Sequence, residues 1–347
     1  MNIIIPMAGL GKRMRPHTLT TAKPLLPIAG KPMVHRLVED IAKLAPEKVN
    51  NIGFIIHPGF GKQVEEDLKS VARDVGAVGK IYYQEQAMGI SHALLFAAEL
   101  FTGKVIVAFA DTLFRANFIL DVTKDGIIWV QKVKDPSQFG VVKMDKEGYI
   151  TELVEKPSTY ISDLAIIGIY FFRQGEVLRK EMQYLIDNNI KEKGEFQFTS
   201  ALDNMRKNGA RFVPGEVQEW LDCGNKNVTV QTNSRYLELL YTSPFGLPAG
   251  QAGGQGAKLV SDKATITNSV IIPPCFIGDN VVIENSVVGP HVSVGESTEI
   301  HDSRISNSII QKHSKISKMV LENSLLGNFV SVKGKPIDAS LGDYSAQ

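Results

Sequence analysis

One stretch of the chain admits few folds. Ala264, Val270, Phe276, Val282, Val288, Val294 and Ile300 stand six residues apart, seven positions in succession, and after a slip of four the spacing resumes at Ile310 and Ile316. Small and polar residues fill the gaps, as in IGDNVV and VGPHVS. An apolar period of six matches neither the 3.6-residue turn of a helix nor the two-residue alternation of a strand. It fits a β-helix in which each hexapeptide supplies one flat side and the apolar position points inward. Residues 257–335 then allow about four coils of three hexapeptides each. Stacked coils bury their inward positions by themselves and leave sides for another subunit to cover. The expected role of the repeat is therefore assembly or regulation rather than chemistry. Before it, residues 243–256 (SPFGLPAGQAGGQG) are dense in Gly and Pro and read as a linker, and 336–347 read as a tail.

Residues 1–242 have a different texture. NIIIPM at 2–7 is a short apolar run ending in Ala8-Gly9, a parallel-sheet strand followed by a loop. A helix is predicted from Pro32, with Met33, Val34, Leu37, Val38, Ile41 and Leu44 on its apolar face. Strands at 51–57, 80–84 and 104–110 alternate with helices around 64–75 and 91–101. Alternation of this kind means an α/β sheet with right-handed crossovers. Further strands are predicted at 126–133, 139–144, 149–155 and 164–172, and helices near 176–187, 198–208 and 226–240. The expected architecture is a Rossmann-like, mixed, mostly parallel sheet domain followed by a short left-handed β-helix.

Length and charge bound the function. A chain of 347 residues is too long for one ordinary core. Lys plus Arg is 38 against 37 Asp plus Glu, so the net charge of +1 gives no global attraction to nucleic acid or to a membrane surface. The apolar N-terminus lacks a basic flank and is too short for a secretory signal. Two cysteines, Cys223 and Cys275, make neither a disulfide framework nor a metal cluster, and a cytoplasmic location is expected. Charge is uneven, however. The first 38 residues hold six bases (Lys12, Arg13, Arg15, Lys23, Lys31, Arg36) and no acid. Such a segment suits a small anion.

The loop AGLGKRMRP, Ala8 to Pro16, follows the first strand directly. Glycines let a backbone approach a phosphate, and successive amides with nearby bases complete an anion cradle. The loop is not a dinucleotide fingerprint, because Met14 stands where the third Gly belongs. Nor is it a P-loop, since no Gly-Lys-Ser/Thr follows. Alone, a Gly-x-Gly is equally a tight turn. Similarly, Gln84 alone is a polar strand end, Asp111 before Thr112 a potential helix cap, and Glu155-Lys156 a solvated pair. Cys223 has no base near it in sequence and is not read as a nucleophile.

Together these residues resemble a family. Gly9-x-Gly11-x-Arg13-x-Arg15-Pro16, Thr18, and KPLLPIAGKP from Lys23 to Pro32 are similar to the signature of sugar-phosphate nucleotidyltransferases, also called nucleotide-sugar pyrophosphorylases. Two departures are small: Ala22 where Pro often precedes the Lys, and Ala110 where Gly usually precedes the Asp. The resemblance implies that Ala8, Gly9 and Gly11 wrap a nucleoside triphosphate. It implies that Arg13 neutralises the phosphates and that Lys23 reaches the reacting ones. Gln84, with Gly89-Ile90-Ser91-His92-Ala93, resembles the base-recognition strand and loop, and its amide suits a pyrimidine imide edge. Asp111, and Asp222 in Trp220-Leu221-Asp222-Cys223-Gly224, are implied as Mg²⁺ ligands. Gly140, Glu155 and Lys156 are implied on the sugar side, with Lys156 on the sugar phosphate.

The function implied is transfer of a nucleotidyl group, from dTTP or UTP by preference, to a sugar 1-phosphate, glucose 1-phosphate by preference, with release of pyrophosphate. The expected partners are those two substrates and other copies of the chain in a homo-oligomer, with no nucleic acid and no membrane. Three alternatives stay open. One is a mannose-1-phosphate guanylyltransferase. The second is an acyltransferase built on the β-helix with His291, His301 or His313 as base. The third is a non-catalytic regulatory relative that binds sugar nucleotides.

Overall fold

The protein is described here by a computed structural model covering residues 1–9, 11–116, 119–242 and 259–335. The linker expected at 243–256 and the tail at 336–347 lie outside the described residues. The chain divides into two compact units, Met1–Leu26 with Pro32–Gly224, and Pro27–Lys31 with Asn225–Gln347.

The first unit is built on a sheet of nine strands. Its parallel part contains β1 (Asn2–Pro6), β2 (Asn51–Ile56), β3 (Val78–Tyr83) and β4 (Val105–Ala108), in the order β3-β2-β1-β4. Between them run α1 (Met33–Leu44), α2 (Lys62–Asp74) and the short α3 (Ile90–Leu95). Ile3, Ile4 and Ile5 are fully buried, as a central parallel strand covered on both faces requires. The chain then turns back. After β5 (Thr112–Arg115) come β6 (Gly126–Lys132), β7 (Gly140–Met144), β8 (Ile150–Glu155) and the long β9 (Leu164–Phe172). β9 runs antiparallel to β4, β6 and β7, with its register shifting between Ile166 and Tyr170. The shift lies in its pairing with β6, and the same strand pairs with β7 at Ala165 and with β4 from Ile169 onward. α4 (Gly175–Asp187) and α5 (Phe198–Lys207) follow, then β10 (Phe212–Glu216) beside β6 and β11 (Glu219–Asp222) beside β5. Tyr170, Phe172, Phe198 and Phe212 form an aromatic cluster in the core, with Tyr170 edge-on to Phe198 at 4.9 Å.

The mixed sheet agrees with the expectation from sequence. Among the strands not foreseen, β5, β10 and β11 are four or five residues long and too short for a periodic signal, as are the two-residue strands Pro27–Ile28 and Lys31–Pro32. The helix expected over 91–101 stops at Leu95 and resumes as a single 3₁₀ turn, Ala98–Leu100.

The second unit contains α6 (Lys226–Thr242), the segment Pro27–Lys31 and the repeat. The sequence reading drew the boundary after 242, whereas α6 groups with the repeat. The repeat is a left-handed β-helix of three parallel sheets with five, four and four strands. Its inward residues include Val288, Val294, Ile300, Ile305, Ile310 and Ile316, all essentially inaccessible to solvent. Paired inward positions Ile266, Ile283, Ile300, Ile316 and Val332 give coils of 17 and then 16 residues, not 18. The strict spacing of six was therefore out of register in the early coils. Phe276 and Val282 point outward, and Cys275, Ile277 and Ile283 point in. Corners shorten the coil by adopting positive φ, as at Asn268, Asn285, Asp302 and Lys318, one above another. Asn and Asp tolerate that conformation, and Asn268 Nδ2 donates to Asn285 Oδ1 at 2.7 Å along the column.

Candidate active site

Open α/β sheets bind ligands beyond the carboxyl ends of their parallel strands. Here β1, β2 and β4 end beside one another, and a cavity of about 440 Å³ lies there. Its wall includes Ala8, Gly9, Gly11 and Arg13 after β1, Lys23, Gln84 and Gly89 after β3, and Asp111 after β4. Those eight expected nucleotide- and metal-side residues thus share one wall.

Local chemistry shapes the loop after β1. Gly11 has φ +55°, and a Cβ there would lie 3.0 Å from Thr18 Cγ2 and 3.1 Å from Lys23 Cβ. Met14 N–H donates to the Gly11 carbonyl at 2.8 Å, closing the 3₁₀ turn Lys12–Met14, and Thr18 Oγ1 donates to the same carbonyl at 2.8 Å. Buried Met14 anchors the turn while Arg13 stays exposed. Gly89 has φ +109°, and a Cβ there would come within 2.6 Å of the Phe196 backbone. The loop before α3 is sewn to that segment by Phe196 N–H to Met88 O and Ser91 N–H to Phe196 O. This brings Glu195 into the cavity wall. Sequence reading missed Glu195, which sits in the polar run KEKGEF without a distinguishing signal.

The two aspartates meet through a short ladder. β5 and β11 pair antiparallel with Thr112 opposite Asp222, and Cys223 N–H donates to the Asp111 carbonyl at 3.1 Å. Carboxylates 111 positions apart in the chain are thereby neighbours. Lys23, almost fully buried, places its Nζ 2.7 Å from Asp111 Oδ2. Asp222 accepts from the Gly224 amide at 2.9 Å. Burial, then the Asp111 carboxylate, push the Asp222 carboxyl above the usual carboxylate range, with Lys23, the Gly224 amide and Arg13 pulling the other way. A divalent cation would relieve that repulsion. Paired hard oxygens, with phosphate and water completing the shell, suit Mg²⁺, which takes few protein ligands. The donor set fits the ion.

Gly140, Glu155 and Lys156 form a second group and do not line the cavity. Gly140 pairs with Glu155 across β7 and β8, and Glu155 Oε2 lies 3.0 Å from where a Gly140 Cβ would stand. Lys156 adopts φ +44°, a costly conformation for a side chain of this kind, and its Nζ is 3.6 Å from Glu155 Oε1. Lys193 Nζ holds the strand end by donating to the Glu155 and Lys156 carbonyls at 3.1 and 2.8 Å. Trp220, two residues before Asp222 on β11, meets Phe139 edge-on at 5.0 Å, and the Phe139 carbonyl accepts from Lys156 N–H. The group expected on the sugar side therefore adjoins the strand that carries Asp222.

The histidines of the repeat are engaged elsewhere. His291 Nε2 lies 3.1 Å from Glu238 Oε1, His301 Nδ1 lies 3.1 Å from Glu284 Oε2, and His313 stacks on Phe329. Cys223 is fully buried.

Comparison with known proteins points the same way. A glucose-1-phosphate thymidylyltransferase of Streptomyces antibioticus is 31% identical over 350 residues, covering 96% of this chain and 93% of the relative. That of Streptomyces griseus is 26% identical, covering 97% and 94%. Among solved structures, a UDP-glucose pyrophosphorylase complexed with UDP-glucose shares the fold over 68% of this chain and 98% of that one, with TM-score 0.56 and 23% identity. The sequence model of the nucleotidyl transferases matches residues 2–238. The chain belongs to the nucleotidyl transferase family and is a sugar-1-phosphate nucleotidylyltransferase.

Proposed function

We propose that the chain joins a pyrimidine nucleoside triphosphate, dTTP or UTP, to glucose 1-phosphate, with Mg²⁺, in the cytoplasm and as a homo-oligomer. The observation that carries the site assignment is the meeting of Lys23, Asp111 and Asp222 at the end of β4. The names of the Streptomyces relatives favour glucose 1-phosphate and the thymidylyl group.

The chemistry asks for positioning more than for a base. An oxygen of the sugar phosphate, already ionised at neutral pH, forms a bond to the α-phosphorus. The bond from that phosphorus to the β-bridging oxygen breaks, and its electron pair leaves with pyrophosphate. Asp111 and Asp222 would hold Mg²⁺, which supplies charge neutralisation between the two anions. Arg13 meets the charge developing on the pyrophosphate, and Lys23, released from Asp111, holds the transferring phosphate. Lys156 binds the sugar phosphate while Glu155 accepts sugar hydroxyls. Gln84 Nε2 donates to the Gln86 carbonyl at 3.1 Å, which orients its amide before any base arrives. The test is a panel of nucleoside triphosphates against a panel of sugar 1-phosphates, scored by pyrophosphate. Highest kcat/KM with dTTP or UTP and glucose 1-phosphate is expected. Preference for GTP with mannose 1-phosphate overturns the assignment.

A further inference from the structure

The three outer faces of the β-helix differ in what they offer. α6 lies against the sheet of Cys275–Ile277, Val292–Val294, Ser308–Ile310 and Leu325–Leu326, and Ser293 Oγ donates to Asn233 Oδ1 on α6 at 2.7 Å. The sheet that contains Val282–Glu284, Glu299–His301 and Lys315–Ser317 turns a charged ladder outward. On it Lys315 Nζ pairs with Glu299 Oε1 at 2.9 Å, and His301 faces Glu284. The third sheet, Val270–Ile271, Val287–Val288, Arg304–Ser306 and Val320–Glu322, exposes an apolar column instead.

That column is Val270, Val287, Arg304 and Val320, each paired with the next on the neighbouring coil. Ile271, Val288, Ile305 and Leu321 alternate with it and point into the core. Val270, Ile272 and Val320 are 56%, 40% and 80% exposed, and among the large apolar residues of the repeat only Ile266 and Phe329 join them in solvent, within the described residues. Val287 is half-buried and floors a groove of about 430 Å³, whose walls include Ile272, Pro290, Arg304, Ser306 and Glu322. Single exposed apolar residues are ordinary on a soluble chain, but a contiguous column marks a contact.

The charges on the face identify the partner. Arg304 and Glu322 both line the groove, both are exposed, and neither has an ion-pair partner among the described residues. One cation and one anion cancel, so the face favours neither an anionic nor a cationic partner. The two lie one coil apart and two positions out of register, with Arg304 opposite Val320 and Ser306 opposite Glu322. Such a pattern is complementary to itself. A two-fold axis through the groove brings Arg304 of one copy to the partner's Glu322, and the reverse, with the valines closing over one another.

We propose that this face is an isologous contact between two copies of the chain, sealed by Val270, Val287 and Val320 and registered by Arg304 and Glu322. The proposal rests on the reading of the chain as a homo-oligomer and names the surface. Four strands about 4.8 Å apart give a face roughly 15–20 Å tall, so the association is reversible and depends on concentration.

Sedimentation velocity of the full chain over a concentration series tests it. The wild-type mass should rise from one copy towards two. Val320→Glu should fold, by circular dichroism, and weaken association by about tenfold or more. Arg304→Glu and Glu322→Arg should each do the same. An equimolar mixture of those two variants should associate again, since each then carries two charges opposite to its partner's, and an effect confined to one chain gives no such rescue. Phe329→Glu, at a corner off this sheet, should leave association within twofold of wild type. If Val320→Glu does not fold, the charge variants decide. An oligomer that none of these variants weakens, or a mixture without rescue, overturns the proposed face and leaves the homo-oligomer reading standing. A wild-type chain that stays monomeric at every concentration leaves the face to the 336–347 segment or to another protein, and overturns both.

Discussion

The two units order a chain by opposite means. In the first, Lys23, Asp111 and Asp222 come from distant points of the sequence, and no strand can substitute for another. In the second, each coil repeats its neighbour 16 or 17 residues on, and its inward residues are nearly interchangeable Val and Ile. The proposed chemistry is placed in the irregular unit because a site needs different groups at one point, which a repeat does not supply. Conversely, where the repeat departs from its own pattern, at Phe276 and Ser293, it packs against Gly30 and α6.

The sharpest way to break this contrast is at the aspartates. Asp111→Asn and Asp222→Asn keep side-chain volume and should each reduce turnover by about 10²–10³, the cost of losing a stabiliser of transition-state charge. Steady-state kinetics on folded protein check this, and near-normal turnover removes that residue from the metal site. Next in size is base selection. Gln84→Ala should erase a preference of about 5- to 150-fold for a pyrimidine over a purine triphosphate, the equivalent of about 1–3 kcal/mol for a lost polar contact. Competition between dTTP and GTP measures it, and an unchanged ratio would move base recognition elsewhere.

A subtler difference concerns stability. The raised Asp222 carboxyl binds its proton more tightly in the folded protein than in the unfolded chain. Metal-free stability should therefore fall as pH rises through the window between an ordinary aspartate and the raised Asp222, and stay lower at neutral pH. Asp222→Asn lacks this penalty. In the presence of EDTA it should melt above the parent at pH 7, with the difference vanishing below the ordinary carboxylate range. Mg²⁺ should raise the parent's Tm at pH 7 more than the variant's. Equal melting at all pH values would show that Asp222 carries no such strain. The smallest effect is expected at Phe329 in the repeat, stacked on His313 and 75% exposed. Phe329→Ala should cost about 1 kcal/mol or less by denaturant unfolding.

How much was legible in the sequence follows the same contrast. The loop after β1 and Asp111 at the end of β4 were readable because a strand, its end and its glycines lie together in sequence. The closeness of Asp222 to Asp111 was implied by resemblance alone, since the β5–β11 ladder that causes it has only four residues per strand. Glu195 left no trace, because it enters the wall through backbone bonds of Phe196. In the repeat the fold was plain but the register was not. Spacings of five and six are mixed along the inward positions, so a strict six turned Phe276 inward. The close approach of the outward Phe276 ring to Gly30 was hidden by that one-residue error.

The most direct test of the central claim, that one site in the first unit exchanges pyrophosphate for sugar 1-phosphate on the α-phosphorus, is ³¹P NMR of the full chain with dTTP, glucose 1-phosphate and Mg²⁺. Pyrophosphate and a new diphosphate diester should appear in equal amounts, only when all three components are present, and both should disappear with Asp111→Asn or Asp222→Asn. Pyrophosphate formed without glucose 1-phosphate, or equal rates in the aspartate variants, would contradict the account.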